Sequence, residues 1–271
     1  MRLFASNTLR AIGLGLGILL LGACSGDKSK EETETLALEP LYQEAKVSLD
    51  NGNYERAIRY YKRLTSRFPF GDYAEQAQLD LAYAQYKRTQ YDESISTINR
   101  FVKTYPAHPK IDYAFYLRGL VNFDRNRSYI DRILPGQAGN RDSESARRAF
   151  NDFGELLRRY PSSSYAVDAR QRMVFLRNDL AGSELAVARY YFRRGVYVGA
   201  ASRAKYIVEN YQQAAQVPDA LAILAQSYAA LGQQDIAEDA KRTLALNAPD
   251  HPYLTGVREN ERSWWGRLWP F

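Results

Sequence analysis

Residues 52–69, GNYERAIRYYKRLTSRFP, decide the fold, because the same pattern returns along the chain at a fixed interval. The stretch contains a Gly-x-Tyr turn, a small residue at Ala57, an aromatic residue at Tyr61 and a closing proline. The matching pairs, each 37 residues apart, are Tyr54 and Tyr91, Ala57 and Ser94, and Pro69 and Pro106. A small residue is needed where two helices cross closely, a larger neighbour fills the gap beside it, and proline stops the helix. The pattern therefore predicts a repeated pair of helices.

The interval is close to the period of tetratricopeptide repeats, roughly 34 residues, in which each unit is a helix-turn-helix pair. Five such units fit between residues 39 and 250. The small residues of their second helices are Ala57, Ser94, Ala149, Ala200 and Ala237. Because each unit buries its apolar face mainly against its neighbours, we expect an all-α fold, a right-handed superhelix of about five tetratricopeptide (TPR) repeats.

Two features interrupt the repeats. The third unit carries additional residues at 124–144, where Pro-Gly and Gly-Asn pairs predict a loop. A further helix is expected at 165–179, ended by Gly182 and Ser183. The resulting boundaries are 39–161 for units one to three, and 162–250 for the further helix with units four and five.

The N-terminus has the pattern of an exported lipoprotein. Residues 1–23 begin with Arg2 and Arg10 and continue with an apolar run that is too short to span a bilayer comfortably. Cys24 ends the run Leu-Gly-Ala-Cys, which resembles the bacterial lipobox, in which the cysteine is acylated and becomes the mature N-terminus. We expect N-palmitoyl and S-diacylglycerol groups on Cys24 as a membrane anchor, and no other cofactor. Residues 24–38 are charged and are interpreted as a flexible tether.

The composition of the 271-residue chain bounds the remaining possibilities. The formal net charge of +6 falls to +4 without residues 1–23, and charges of both signs are mixed along the chain, so no nucleic-acid partner is expected. One cysteine allows no intrachain disulfide. His108 and His251 lie in His-Pro loops, and common hydrolase, phosphate-loop and zinc-protease motifs are missing, so we expect no catalytic residue, no metal site and no enzyme. Residues 251–271 carry all three tryptophans and are expected to form an aromatic tail that covers a surface.

The leading helices of the first three units carry aromatic stripes. In tetratricopeptide repeats one stripe of each leading helix lines the inner face of the superhelix, and spacings of three and four residues place side chains on one helix face. The residues expected to line this groove are Tyr42, Lys46, Gln76, Leu79, Tyr83, Tyr86, Lys87, Tyr113, Tyr116 and Phe123. Such a surface suits an extended peptide with aromatic side chains and a terminal carboxylate. The alternative is that these tyrosines belong to the core and that the register is shifted by one residue.

Three longer runs are more specific than the repeat pattern. They are RFPFGDYAEQAQLDLAYAQYK at 67–87, HPKIDYAFYLRGL at 108–120 and ARRAFNDFGELLRRYPSSSYAVDARQRMVFLRNDLA at 146–181. Together they resemble the BamD family, the lipoprotein subunits of the outer-membrane β-barrel assembly (BAM) machine of Gram-negative bacteria. The resemblance extends from Cys24 to about residue 247, and the tail after Pro249 matches less clearly. Ser25, where an Asp would resemble inner-membrane retention, fits outer-membrane sorting.

The resemblance implies a scaffold anchored to the periplasmic face of the outer membrane. Its N-terminal repeats would receive unfolded outer-membrane proteins through their aromatic C-terminal signal. Its C-terminal repeats would dock the periplasmic domains of BamA and help to hold the other BAM lipoproteins. In the family an arginine in the second helix of the fourth repeat contacts BamA, and Arg203 in GAASRAKYIVENY matches that position.

Repeat periodicity alone leaves two other classes open. One is a different periplasmic TPR lipoprotein that scaffolds cell-wall or polysaccharide-export machinery and handles no barrel substrates. The other is a cell-wall enzyme, which would need a convergent set of titratable side chains in a pocket.

Overall fold

Five consecutive helix pairs, followed by one short helix, account for the helices of the described residues. The computed structural model describes residues 35–125 and 143–256, and these ranges contain eleven α-helices and no strand. The helices are α1 (Leu38–Asp50), α2 (Tyr54–Arg67), α3 (Asp72–Lys87), α4 (Tyr91–Thr104), α5 (Ile111–Arg125), α6 (Ser143–Arg159), α7 (Ala166–Arg193), α8 (Tyr197–Asn210), α9 (Val217–Ala230), α10 (Gln234–Asn247) and α11 (Pro252–Thr255). Helices α1 to α10 form five successive pairs, so the all-α prediction and the five repeat units are confirmed over the described ranges.

The turn between the two helices of a pair needs a residue in the left-handed conformation. Glycine supplies it at Gly52, Gly195 and Gly232, with φ of 74°, 73° and 77°. In the second pair the same place, 37 residues after Gly52, is occupied by Thr89 with φ of 59°. A side chain with a Cβ is disfavoured there by roughly 1–2 kcal/mol. The turn at Thr89 is therefore strained, whereas the three turns with glycine are not.

The chain divides after His108 into two units, each with its own packing. In the first unit, consecutive helices from α1 to α4 pack together and α1 also packs against α3. The second-helix residues Ala57 and Tyr61 are both fully buried, as the repeat pattern predicts. The buried core cluster of this unit is Leu41, Ala45, Leu49, Ala57, Ile58, Tyr60, Tyr61, Leu64, Ala77, Leu81 and Ala84.

The segment before α1 is tied to this core. Leu36 and Leu38 pack against the core cluster, and Arg67 Nη1 donates a hydrogen bond to the Leu36 carbonyl oxygen at 2.8 Å. The residues at the end of the predicted 24–38 tether are therefore part of the folded unit.

The second unit contains α5 to α11. Consecutive helices from α5 to α10 pack together, and α7 also packs against α9. Gly119 lies where Ala82 lies one repeat earlier, and a Cβ on Gly119 would come within 2.5 Å of the Phe153 ring. The small positions of all five second helices are at most 5 % exposed: Ala57, Ser94, Ala149, Ala200 and Ala237.

A single helix, α7, covers what the sequence analysis treated as two helices. It runs over Ala166–Arg193, so the expectation that Gly182 and Ser183 end a separate helix is wrong. The Ser183 hydroxyl donates to the Asp179 carbonyl oxygen at 3.1 Å, which satisfies it within the helix. Leu185 is buried just beyond, and burial on this scale outweighs a glycine penalty of about 1 kcal/mol.

Three other predicted boundaries can be compared with the described residues. The loop predicted at 124–144 is helical at both of its ends, because α5 continues to Arg125 and α6 begins at Ser143. Residues 126–142, Cys24 with the signal segment, and the tail from residue 257 lie outside the described residues. The two units divide at residue 108, so the functional division at 161 stays a prediction. None of the helices in the described ranges is long and apolar enough to cross a membrane.

Candidate functional site

The aromatic stripe of the first unit is organised around Asp80. The hydroxyls of Tyr42 on α1 and Tyr61 on α2 both donate to Asp80 Oδ2, at 3.1 and 3.2 Å. Gln76 Nε2 donates to Asp80 Oδ1 at 2.8 Å. The Tyr42 ring also lies 6.1 Å from the Tyr61 ring and 5.1 Å from the Tyr73 ring, measured between centroids. One carboxylate on α3 therefore holds aromatic side chains of two other helices, α1 and α2, in place.

Burial dominates the titration of this cluster. It raises the pKa of Asp80, and the hydrogen bonds from Gln76 and the two tyrosines oppose that rise. Burial also raises the pKa of Tyr42 and of Tyr61, and the negative charge of Asp80 adds to the effect. Both phenols therefore remain protonated donors at physiological pH. Within residues 35–125 and 143–256 there is no group of three or more His, Cys, Asp or Glu that could hold a metal ion.

A second group of rings continues the stripe toward the end of α3. Tyr83 and Tyr86 are half-buried, with centroids 6.2 Å apart. Tyr86 lies 6.5 Å from Tyr91 at the start of α4. These tyrosines are neither sealed in the core nor fully exposed, so each keeps one edge available for contact.

The two predicted lysines differ in how free they are. Lys46 Nζ pairs with Asp50 of the same helix at 2.6 Å. Lys87 is exposed and its Nζ lies 5.8 Å from the centre of the Tyr54 ring. No carboxylate among the described residues pairs with Lys87. Lys87 is therefore the better placed of the two to bind an added anion.

Two predicted groove residues do not reach the surface. Leu79 is 0 % exposed, and Phe123 is 5 % exposed with its ring 6.5 Å from Phe153 and 5.7 Å from Phe175. The expectation that Leu79 and Phe123 line an open groove is wrong for this reason. On α3 Asp80 takes the place predicted for Leu79. One stripe of α3 that is not fully buried consists of Tyr73, Gln76, Asp80, Tyr83 and Lys87, and the half-buried Tyr86 lies next to it.

The predicted tyrosines of the second unit form a separate cluster. The Tyr116 ring stacks on Tyr165 at 4.6 Å and 16°, and Tyr113 lies 5.6 Å from the same ring. The Tyr116 hydroxyl donates to Asp168 Oδ2 at 2.7 Å, and Arg172 Nε donates to that oxygen at 2.5 Å. Burial, followed by the hydrogen bond to Asp168, raises the pKa of Tyr116 to about 12. Burial alone would raise the pKa of Asp168, but the hydrogen bonds from Arg172 and Tyr116 hold it below its usual value.

Sequence reasoning missed the carboxylates that position these rings. Asp80 and Asp168 each accept hydrogen bonds from tyrosine hydroxyls on other helices. A local signal existed for both, because Gln76 and Arg172 lie four residues away on the same helix face. An acidic residue within an aromatic stripe is the pattern that would have identified them.

Arg203, the predicted docking residue, belongs to an ion-pair network in the second unit. Its Nη1 lies 2.9 Å from Glu184 Oε2, and Arg147 Nη2 lies 3.2 Å from Glu184 Oε1. Glu184 is 8 % exposed, whereas the Arg203 side chain keeps 46 % of its surface accessible. The network joins α6, α7 and α8 and leaves part of the Arg203 guanidinium open to a partner. The neighbouring Tyr206 is also exposed.

Comparison with known proteins gives consistent matches along the chain. A family model named YfiO, described as an outer membrane lipoprotein, matches residues 36–244. The chain is 42 % identical to an outer membrane protein assembly factor BamD of Neisseria meningitidis (serogroup A, strain Z2491), covering 96 % of this chain and 98 % of that protein. It is 40 % identical to an outer membrane protein assembly factor BamD of Xylella fastidiosa (strain 9a5c), covering 93 % and 86 %. A solved structure of a thermophilic TPR protein from Thermus thermophilus is 15 % identical, with a TM-score of 0.36 over 81 % of this chain and 96 % of that chain.

Proposed function

Because the chain belongs to the YfiO family of outer membrane lipoproteins, we propose that it receives unfolded outer-membrane proteins on its N-terminal tyrosines and docks BamA through Arg203. Its relatives are named assembly factors, so its role lies in outer-membrane protein assembly and not in catalysis. Acyl groups on Cys24 hold it on the periplasmic face of the outer membrane, beside the other BAM lipoproteins.

The receptor role is carried by the half-buried tyrosines of the first unit. Tyr42, Tyr83 and Tyr86 each present a partly accessible side chain, and the carboxylate of Asp80 fixes the first of them. Rings held in this way lose little freedom when a substrate ring packs on them, which favours binding. Lys87 supplies a charge-assisted contact for the terminal carboxylate of the substrate.

The docking role is supported by the way Arg203 is held. A guanidinium has five N–H donors, and Glu184 leaves some of these for a carboxylate of BamA. The bond to Glu184 also fixes the orientation of the side chain, so less freedom is lost when a partner binds. The partner surface expected here is acidic.

Site-specific crosslinking tests the division of labour. A photo-crosslinking residue is placed at position 83 or at position 203 of the lipidated chain in the outer membrane, with exposed Lys103 on α4 as the control position. We expect unfolded outer-membrane protein at position 83, BamA at position 203, and neither at position 103. Substrate at 203 together with BamA at 83 would refute the proposal.

Peptide binding tests the receptor role by itself. An aromatic contact contributes about 0.5–1.5 kcal/mol, so Tyr83→Ala should weaken binding of a peptide with a C-terminal aromatic residue roughly 2- to 13-fold. Lys87→Met should weaken only the peptide with a free carboxylate and leave its amidated form unchanged. The control is Tyr253→Ala, because Tyr253 is an accessible tyrosine that belongs to the second unit. Equal loss in Tyr253→Ala would show that the effect is not local.

A further inference from the structure

A second concave surface lies in the first unit, on the side formed by the second helices α2 and α4. This α2/α4 groove has a volume of about 870 Å³ and an open side. Its floor is Gln78, Leu81 and Gln85 of α3. Its walls and ends are Lys62, Thr65, Ser66, Pro69 and Phe70 on one side, and Asp92, Glu93, Ser96, Thr97, Arg100, Thr104 and Tyr105 on the other. None of these residues belongs to the tyrosine surface assigned to substrate.

The floor of the groove contains an unsatisfied acceptor. Gln78 is 8 % exposed, and its Oε1 is the only buried side-chain oxygen without a hydrogen-bond partner among the described residues of the first unit. Gln85 lies two helical turns further along α3, and its Oε1 has a partner because it accepts a hydrogen bond from Thr97 at 2.9 Å. No protein group satisfies the Gln78 acceptor, so a donor from water or from a ligand in the groove would pair with it. The only bond that holds the Gln78 amide is a long one, 3.4 Å from its Nε2 to the Tyr105 hydroxyl, so the amide can turn toward a ligand.

The two ends of the groove differ in chemistry. Asp92 and Glu93, in the first turn of α4, make one end acidic. At the other end Phe70 is 84 % exposed, and Phe70 and Tyr105 both line the groove there. Between the ends, Arg100 offers hydrogen-bond donors.

We propose that the α2/α4 groove binds an extended polypeptide segment of a partner protein, with a basic side chain at the acidic end and an aromatic or large aliphatic side chain on Phe70. The distance along α4 from Glu93 to Tyr105 is about 18 Å, which an extended chain covers in about five or six residues. A backbone presents N–H donors and carbonyl acceptors in alternation, which matches Gln78 below and Arg100 beside it. An acyl chain offers no donor for Gln78 and no charge for Glu93. The inference does not depend on the proposed function, because the groove and the tyrosine surface use different side chains.

A defined peptide serves as the probe. It has nine residues, is acetylated and amidated, and carries arginine at its second position and phenylalanine at its eighth, with small polar residues elsewhere. Its reversed sequence is tested in parallel, because the groove does not set the chain direction. Binding to the full chain is followed by NMR chemical-shift changes, and we expect saturable shifts at Gln78, Arg100 and Phe70. Short-chain phosphatidylethanolamine is the lipid comparison.

Three variants separate binding from folding. Gln78→Leu keeps the volume but removes the amide, so peptide affinity should fall at least fivefold while the thermal midpoint is unchanged or higher. Glu93→Gln should weaken the arginine peptide two- to fivefold and leave a peptide with alanine in place of arginine unaffected. Asp235→Asn, in the first turn of α10, is the matched control and should change neither.

Several results would overturn the inference. They are shifts confined to Tyr42 and Tyr83, shifts caused by the lipid but not the peptide, unchanged affinity in Gln78→Leu, or no saturable shift at millimolar peptide. Shifts confined to Tyr42 and Tyr83 would leave the receptor proposal intact. Loss of receptor binding in Tyr83→Ala would leave the proposal for the α2/α4 groove intact.

Discussion

The packing of Gly119 yields the sharpest stability prediction. A Cβ added there would lie 2.5, 2.7 and 2.9 Å from three carbons of the Phe153 ring, whereas carbons in contact are about 3.5–4.0 Å apart. Phe153 is 0 % exposed, so the ring cannot swing into solvent. Overpacking of this severity costs about 3 kcal/mol, and the better helix propensity of alanine returns about 1 kcal/mol. Gly119→Ala should therefore lower the free energy of unfolding by about 2 kcal/mol.

The second glycine of the same helix pair provides a matched control. At Gly154 on α6 an added Cβ meets only the mobile ends of Met173 and Arg158, at 3.6 and 3.7 Å. Gly154→Ala should gain up to about 1 kcal/mol. Thermal unfolding followed by circular dichroism checks both variants, with a midpoint about 4–8 °C lower expected for Gly119→Ala. Hydrogen exchange should localise its loss to α5 and α6. If the two variants shift the midpoint equally, close packing is not the cause.

Three further outcomes follow from single contacts. Tyr61→Phe removes one donor to the half-buried Asp80 carboxylate and should cost about 1–2 kcal/mol in urea unfolding, and an unchanged midpoint would contradict the role given to Asp80. The pKa of Asp168 is held below its usual value by Arg172 in the folded state, so its stabilisation is present above the unfolded pKa and is lost as pH falls through the folded one. Below about pH 4 the stability of Asp168→Asn should therefore fall less steeply than that of the unsubstituted chain, and parallel acid unfolding curves would count against this. Thr89→Gly should raise the thermal midpoint by relieving about 1 kcal/mol of left-handed strain, and a lower midpoint would show that Thr89 is not strained.

The repeat architecture could be read from the sequence because it depends on residues with a strong local requirement. Ala57 and Ser94 must be small where helices cross, and their 37-residue interval returns between Ala200 and Ala237 of the last two pairs. Gly119 lies 37 residues after Ala82, at another small position, and Phe153 is the side chain that comes close to it. Such positions need no knowledge of distant contacts.

The side-chain surface was harder to predict because neighbouring positions on a helix differ by only 100° in direction. Leu79 and Asp80 are adjacent, and only the packing of Tyr42 and Tyr61 on α3 shows which of them faces the aromatic cluster. The polarity of Asp80 favours the outer position. A carboxylate among aromatic rings is favourable only because the tyrosine hydroxyls donate hydrogen bonds to it.

The helix boundary at Gly182 and Ser183 failed for a different reason. These two residues are a reliable stop signal in an isolated helix. In the folded chain α7 is covered by α6, α8 and α9, and the burial of residues such as Leu185 keeps it continuous. Tertiary packing of this kind leaves no mark on the local sequence.

The unbroken course of α7 has a mechanical consequence. Asp168, which anchors the Tyr116 phenol, and Glu184, which anchors Arg203, sit sixteen residues apart on one continuous hydrogen-bonded rod, about 24 Å along its axis. If a helix ended at Gly182, the two anchors would lie on separate helices that could move independently. Because α7 is continuous, a displacement of either anchor along the helix axis also displaces the other.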